Sequence, residues 1–282
     1  MATGPGFLAI GHVTKDLLSG TGYAVGGTVT YAALTARNLG LPVAVLTSAP
    51  PDLNLSLVLR GTDLHVVPSP VATTFENVYQ GERRLQYVHG VASPLLASHL
   101  PSTWKQASIV LLGPLVGELG LDWLDAFPSA LVGVTPQGWM RQWDGNGRVT
   151  FRRWTDAERI LSSVDVLVFS EEDVGRDQAL IRHYAERAEI AAVTRGCLGA
   201  TVFWSGTARD FPAFRASVVD PTGAGDVFAA AFLVRLKETG DPSLAAPFAN
   251  SAASLAIEGA GTKAIPSRDQ VEERMLRGKL YE

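Results

Sequence analysis

The chain has 282 residues, 46% of them hydrophobic and 18% charged, enough apolar material for one large α/β core or two modest ones. Its 24 Lys+Arg stand against 28 Asp+Glu, and a net charge of −4 leaves no electrostatic footprint for nucleic acid or an anionic membrane surface. Cys197 is the only cysteine, which excludes an intrachain disulfide and fits a reducing compartment. The first residues lack the basic-then-apolar pattern of a secretory signal, and no run approaches the ~18 apolar residues of a spanning helix, so a cytoplasmic protein is expected.

In chain order, Phe7-Leu8-Ala9-Ile10-Gly11 has the look of a buried parallel strand. Asp16 follows just past its C-terminal end, where open α/β sheets gather their ligands; on position alone a plain loop or helix-start carboxylate is the alternative. Gly26-Gly27 precede apolar and small residues at helical spacing from Tyr31 to Leu39, with Gly40 where a C-cap glycine belongs. The pair opens a helix and allows a substrate close to the backbone. Leu41 to Ser48 reads as the next parallel strand. Between His65 and His89 the pattern changes to short alternating segments (65–67, 73–79 and 84–88), with a hairpin signal at Gln80-Gly81-Glu82-Arg83.

Alternation of strand and helix resumes with a strand at Ile109–Pro114, a helix from Leu119 to Phe127 and a strand at Ala130–Val134. The last delivers Gln137 and Arg141 at its C-terminal end; a guanidinium there can grip an oxyanion in bidentate fashion, or be an ordinary salt-bridged loop residue. Residues 164–169 form the next strand and lead into Ser170-Glu171-Glu172-Asp173. A strand–turn–strand follows, with Thr194, Gly196 and Gly199 at the turn. Cys197 in this turn has nothing in the sequence to depress its pKa and reads as a packing or loop residue. The five histidines show no metal-ligand spacing.

The densest chemistry lies in Asp220-Pro221-Thr222-Gly223-Ala224-Gly225-Asp226, followed by the apolar, alanine-rich run 227–234. The glycines allow a sharp turn, the run reads as a buried helix, and a helix N-terminus with bare amides is an anion site. Asp226 either caps that helix or, beside amides that hold a phosphate, takes a proton from a substrate hydroxyl. A small-residue helix around Phe248–Ala256 and a Gly-rich segment at 259–262 close the chain.

This sequence resembles the ribokinase-like (PfkB-type) carbohydrate kinases, whose C-terminal signature is D-T-x-G-A-G-D and whose first signature is a Gly-Gly before a helix ending Ala-Arg-x-Leu-Gly, here Ala36-Arg37-Asn38-Leu39-Gly40. The resemblance spans Gly11 to Gly261. It implies one α/β domain over residues 1–282, a three-layer sandwich with a mainly parallel central sheet and a small β lid from about 20–27 and 64–90. It implies ATP and Mg²⁺, and phosphoryl transfer to a hydroxyl of a small polyol, sugar or nucleoside. By the same resemblance Asp226 is the catalytic base, Gly223, Ala224 and Gly225 form the anion hole, and Asp16, Gly26, Gly27, Thr30, Tyr31, Gln137 and Arg141 face the acceptor. Thr194, Gly196 and Gly199 lie near the ATP phosphates, Asn250 contacts the base, and Asp173 belongs to the metal network.

There are departures. Tyr31 stands where many members have Asn, and Ser170 to Asp173 replaces Asn-x-x-Glu. Tyr31, Thr73-Thr74 and the segment from Pro136 to Arg141 look closer to myo-inositol kinase-like members, so myo-inositol is the favoured acceptor, with other sugar or nucleoside kinases and a non-catalytic metabolite-binding member as alternatives. Monomer and homodimer both remain open, since an exposed lid edge strand could pair with a second copy.

Overall fold

The computed structural model describes residues 4–18, 20, 22–80 and 83–281. The N-terminal part contains β1 (Phe7–Ile10), β2 (Thr14–Leu17), β3 (Tyr23–Gly26), α1 (Thr28–Asn38), β4 (Val43–Ala49), α2 (Leu55–Val58), β5 (Asp63–Pro68), β6 (Thr73–Gln80) and β7 (Arg83–Gly90). Next come β8 (Ile109–Leu112), β9 (Leu131–Val134), β10 (Arg141–Trp143), β11 (Val149–Phe151), α3 (Ala157–Leu161), β12 (Val166–Ser170) and α4 (Gln178–Ala185). The C-terminal part holds β13 (Ile190–Thr194), β14 (Ala200–Trp204), β15 (Thr207–Phe211), α5 (Ala224–Thr239), α6 (Pro242–Ala256) and α7 (Arg268–Arg277).

The central strands are apolar on both faces because both faces are covered. In the nine-stranded sheet the order is β15-β14-β13-β12-β9-β8-β1-β4-β5. Every neighbouring pair from β13 to β5 is parallel, and β14 and β15 add antiparallel strands at one edge. Period-two alternation sorts the side chains. Phe7, Ala9, Val45, Leu111 and Val168 join a core with α1, α5 and α6, whereas Leu8, Ile10, Leu46, Leu112 and Phe169 join a second core with Trp123, Trp139, Trp154, Ile181 and Tyr184. Among the described residues no helix is long and apolar enough to cross a membrane.

A four-stranded sheet, β3-β2-β6-β7, stands apart from the large one, with β2 antiparallel to β3 and parallel to β6, and with β6 antiparallel to β7. The alternating segment at 65–67 is not part of it. It lies in β5, parallel to β4 at the edge of the main sheet, and its alternation reflects the half-exposed faces of an edge strand. In exchange the lid gains β2, whose polar Thr14-Lys15-Asp16-Leu17 reads as loop in isolation. The expected helix at 119–127 reduces to a 3₁₀ turn at Leu121–Trp123. Of the hairpin turn between β6 and β7, Gly81-Glu82 lie outside the described residues.

The chain passes from β1 into the lid through a buried polar joint. His12, fully buried, has Nδ1 2.7 Å from Thr73 Oγ1 at the start of β6 and Nε2 2.9 Å from Ser93 O just beyond β7. The buried Glu118 carboxylate accepts N–H bonds from His12 at 2.9 Å, from Leu115 at 2.9 Å and from Val116 at 2.8 Å. Both ends of the lid are thus tied to the loop that begins at Gly113, and each buried polar atom in the joint has a partner.

Candidate active site

The C-terminal end of the parallel strands is where the sequence concentrates its chemistry. α5 starts there with Gly223 as N-cap at φ +79°, ψ 0°, without a side-chain cap. Val227 N–H bonds to Gly223 O at 2.9 Å, and the amides of Gly225 and Asp226 have no carbonyl or side-chain acceptor among the described residues. A Cβ on Gly225 would meet open space, so this turn faces the cleft. A Cβ on Gly223 would run into the Tyr31 ring. Bare amides at the positive end of a 16-residue helix make an anion seat.

Asp226 stands beside that seat. Its carboxyl is raised from the ordinary carboxylate value to about 6, first by burial; a hydrogen bond with Thr28 and the charge of Arg141 pull it back, while Asp173 and Asp16 push it up. These neighbours come from four different segments: α1, the root of β10, the turn after β12, and the lid strand β2. A carboxylate with this value is ionised at neutral pH and still basic enough to accept a proton from a hydroxyl in a transition state. Thr28, first residue of α1 and directly after Gly26-Gly27, escaped the sequence reading; its position at the mouth of a helix opened by two glycines is the available signal. Thr28→Val is expected to move the acidic limb of the activity profile above pH 6, because the lost hydrogen bond had favoured the charged form; a pH–kcat/KM profile checks it.

Asp16 projects from β2, its Oδ1 accepting from Thr14 Oγ1 at 3.0 Å. A Cβ on Gly26 would collide with the Asp16 carboxylate, and one on Gly27 would lie 2.6 Å from His12 O. The glycine pair therefore admits the lid's own carboxylate and hinge as close neighbours of the backbone. Tyr31 is only 5% exposed, between α1 and the start of α5. Burial first, then the negative charges of Asp220, Asp226 and Asp16, push its phenol well above the usual tyrosine value, so it remains a neutral hydroxyl. Burial alone would raise Asp220 as well, yet hydrogen bonds from Thr222 and from Gly261 N–H, the latter at 3.0 Å, hold it below the ordinary value.

Arg141 Nη1 donates to Leu115 O at 3.4 Å and its guanidinium lies 5.4 Å from the centre of the Phe75 ring on the lid. Gln137 donates from Nε2 to Asp173 Oδ1 at 3.0 Å, and Asp173 Oδ2 accepts Ser170 N–H at 2.9 Å, so these two form one pair at the cleft. Ser170 and Thr194 are register partners at the ends of β12 and β13. Gly196 and Gly199 both have positive φ, and a Cβ on Gly199 would strike Phe211 O.

Two side chains expected at the ligand are spent elsewhere. Thr30 is fully buried and donates to Gly26 O at 2.6 Å, so it fixes the glycine turn from behind instead of lining the cleft. Thr30→Val should destabilise the fold by about 1–2 kcal/mol through the orphaned carbonyl, with acceptor KM little changed; urea unfolding and kinetics on one preparation check this. Asn250 is 5% exposed and donates to Phe211 O at 2.9 Å and Pro212 O at 3.1 Å, which directs its amide hydrogens to the loop after β15 instead of toward a base.

Comparison with known proteins agrees with this arrangement. Residues 152–269 match the pfkB family of carbohydrate kinases. The cytidine kinase of Thermococcus kodakarensis is 28% identical over 80% of this chain and 86% of its own length. A sulfate complex of a pyrophosphate-dependent kinase in the ribokinase family superposes with a TM-score of 0.81 at 26% identity, covering 95% of this chain and 99% of the other. A pyrophosphate-dependent kinase of that family bound to a pyrophosphate analogue and myo-inositol gives 0.80 at 25% identity, covering 95% and 99%. Arabidopsis thaliana ribokinase with ribose and ATP shares the fold, with a TM-score of 0.74, 19% identity and coverage of 97% and 99%. With the Gly-Ala-Gly helix start, the adjacent carboxylate and the lid all in place, the chain is similar, in sequence over residues 152–269 and in fold over nearly its whole length, to the ribokinase-like (PfkB-type) carbohydrate kinases, which are phosphotransferases with an alcohol group as acceptor.

Proposed function

We propose that residues 1–282 act as one kinase unit that transfers the terminal phosphoryl group of ATP to a hydroxyl of myo-inositol or a closely related polyol. The carrying observation is the juxtaposition of the bare α5 amides with Asp226, raised to about 6 and ringed by Asp16, Arg141 and Asp173. Asp226 takes the proton of the attacking hydroxyl, the Gly223–Gly225 turn holds the charge on the migrating group, Asp16 accepts acceptor hydroxyls and Arg141 holds phosphate or acceptor oxygens. The lid excludes water, which would otherwise compete as acceptor.

Among the described residues no group of three or more His, Cys, Asp or Glu could hold a metal ion by itself. A Mg²⁺ arriving with the donor's phosphates would have Asp173, which accepts from Gln137 at 3.0 Å, as the nearby protein carboxylate. Bound there, the ion supplies neutralisation of phosphate charge.

The donor reading draws on the resemblance and on exposed apolar side chains flanking the motifs: Leu198 on the turn before β14, and Val218 and Val219 just before the Asp220–Asp226 motif, are each more than half exposed. A second reading, inorganic pyrophosphate as donor, is favoured by the use of the Asn250 amide inside the fold and by the pyrophosphate-dependent proteins to which this chain is similar. The acceptor reading draws on the same likeness together with Tyr31. The test is acceptor-dependent release of ADP or orthophosphate, with Mg²⁺ and either ATP or pyrophosphate, across myo-inositol, ribose, fructose, 2-keto-3-deoxygluconate, adenosine and cytidine. A strong response to myo-inositol with ATP supports the proposal. A response only with pyrophosphate replaces the donor, and one only with a nucleoside or a sugar replaces the acceptor.

A further inference from the structure

The short hairpin β10–β11 belongs to neither the main sheet nor the four lid strands, yet it carries Arg141 at its root. Its tip is joined to the lid. Val88 N–H of β7 donates to Gly147 O at 2.8 Å, and Tyr87 and Arg148 form an antiparallel bridge. Gly147 has φ +80°, and a Cβ on it would strike Val88 O, so both its conformation and its contact exclude a side chain. Val149 packs against a small cluster of Phe75 and Val88 from the lid with Leu115 and Val116 from the body.

The root is joined to the lid too. Arg141 pairs in register with Phe151, and its guanidinium lies over Phe75 of β6. The connecting turn is braced by Asp144, whose Oδ1 accepts N–H bonds from Asn146 and Arg148, both at 2.9 Å. The hairpin is thus a stiff lever held at one end by β7 and at the other by the ring beside Arg141. It also covers the β7 edge, leaving β3 as the other edge of the lid.

We propose that β10–β11 moves with the lid as one unit, and that Gly147 is a positioning residue that sets the Arg141 guanidinium when the lid closes over an acceptor. This rests on the reading of Arg141 as a contact to acceptor or migrating phosphate. Without the Gly147–Val88 junction the lid can close while Arg141 lags, and a misplacement on the order of 1 Å at a reacting group costs up to about 10²-fold in rate.

The first arm needs no ligand. In amide hydrogen exchange on the free protein, Val88 and the β10–β11 amides should show one common protection. Gly147→Val should lower hairpin protection at least about tenfold while β8 and β9 amides keep theirs. Gly145→Ala is the control in the same turn, since a Cβ there meets nothing within 4 Å. Should Gly147→Val fold poorly, Gly147→Ala tests the same junction with a smaller group. Hairpin protection that survives both variants, or that differs from that of Val88 in the wild type, overturns the proposal.

The second arm is kinetic, with myo-inositol or whichever acceptor responds. Gly147→Val should raise acceptor KM and lower kcat with donor KM unchanged, and its loss should be strongly non-additive with that of Arg141→Gln. Additive losses overturn the coupling. A silent acceptor panel beside a positive exchange result instead falsifies the kinase reading of Arg141 and leaves the mechanical unit standing.

Discussion

Asp226→Asn is expected to lose on the order of 10²–10⁴ in kcat while binding donor nearly as the wild type does. The amide keeps the shape of the carboxylate but cannot take a proton, and α5 with its bare amides is unchanged. The wild-type kcat/KM should fall with unit slope below pH about 6, where Asp226 protonates, and this limb should vanish in the variant. Stability should move the opposite way. The folded carboxyl holds its proton to higher pH than the unfolded one, so between the ordinary carboxylate value and about 6 the fold loses stability as pH rises, and the loss persists above. Asn removes that penalty, and thermal unfolding should show a higher Tm for the variant at neutral pH than for the wild type. Equal turnover in wild type and variant removes Asp226 as the base.

Asp16→Ala is the second large effect. A charge-assisted hydrogen bond to an acceptor hydroxyl is worth enough that acceptor KM should rise about 10- to 100-fold, with donor KM little changed. A second readout is independent of binding. Asp16 pushes Asp226 upward, so its removal should shift the acidic limb of kcat/KM to lower pH. Thr14 loses the acceptor of its hydroxyl bond but sits in an intact lid ladder, which separates this effect from unfolding. Equal weakening of donor and acceptor places Asp16 outside the acceptor pocket.

What the sequence made legible follows from local physics. β1, β8, β12 and β13 announce themselves as short apolar runs because both faces of a parallel sheet are covered. The Gly223–Asp226 turn is equally visible, since positive φ at Gly223 and an apolar helix behind it are local requirements. β2 was hidden because a four-residue polar strand owes its existence to pairing with Thr73–Glu76, far along the chain. β5 imitated a lid strand because edge strands alternate wherever they lie.

Thr30 and Asn250 show the same limit at the site. Motif position brings a residue to the neighbourhood of the ligand, but which way its side chain points is decided by nearby carbonyls, Gly26 O in one case and Phe211 O and Pro212 O in the other. The docking of β10–β11 on β7 depends on a tertiary contact at Gly147 that no local pattern encodes.

In the function proposed above, this cleft moves a phosphoryl group onto a polyol hydroxyl through Asp226. The most direct measurement is ³¹P NMR of wild type and Asp226→Asn with myo-inositol, Mg²⁺ and either ATP or pyrophosphate. A new phosphomonoester resonance should grow in step with donor loss in the wild type and be absent in the variant over the same time. Donor consumed to orthophosphate alone, or a phosphomonoester formed equally well by Asp226→Asn, would contradict that function.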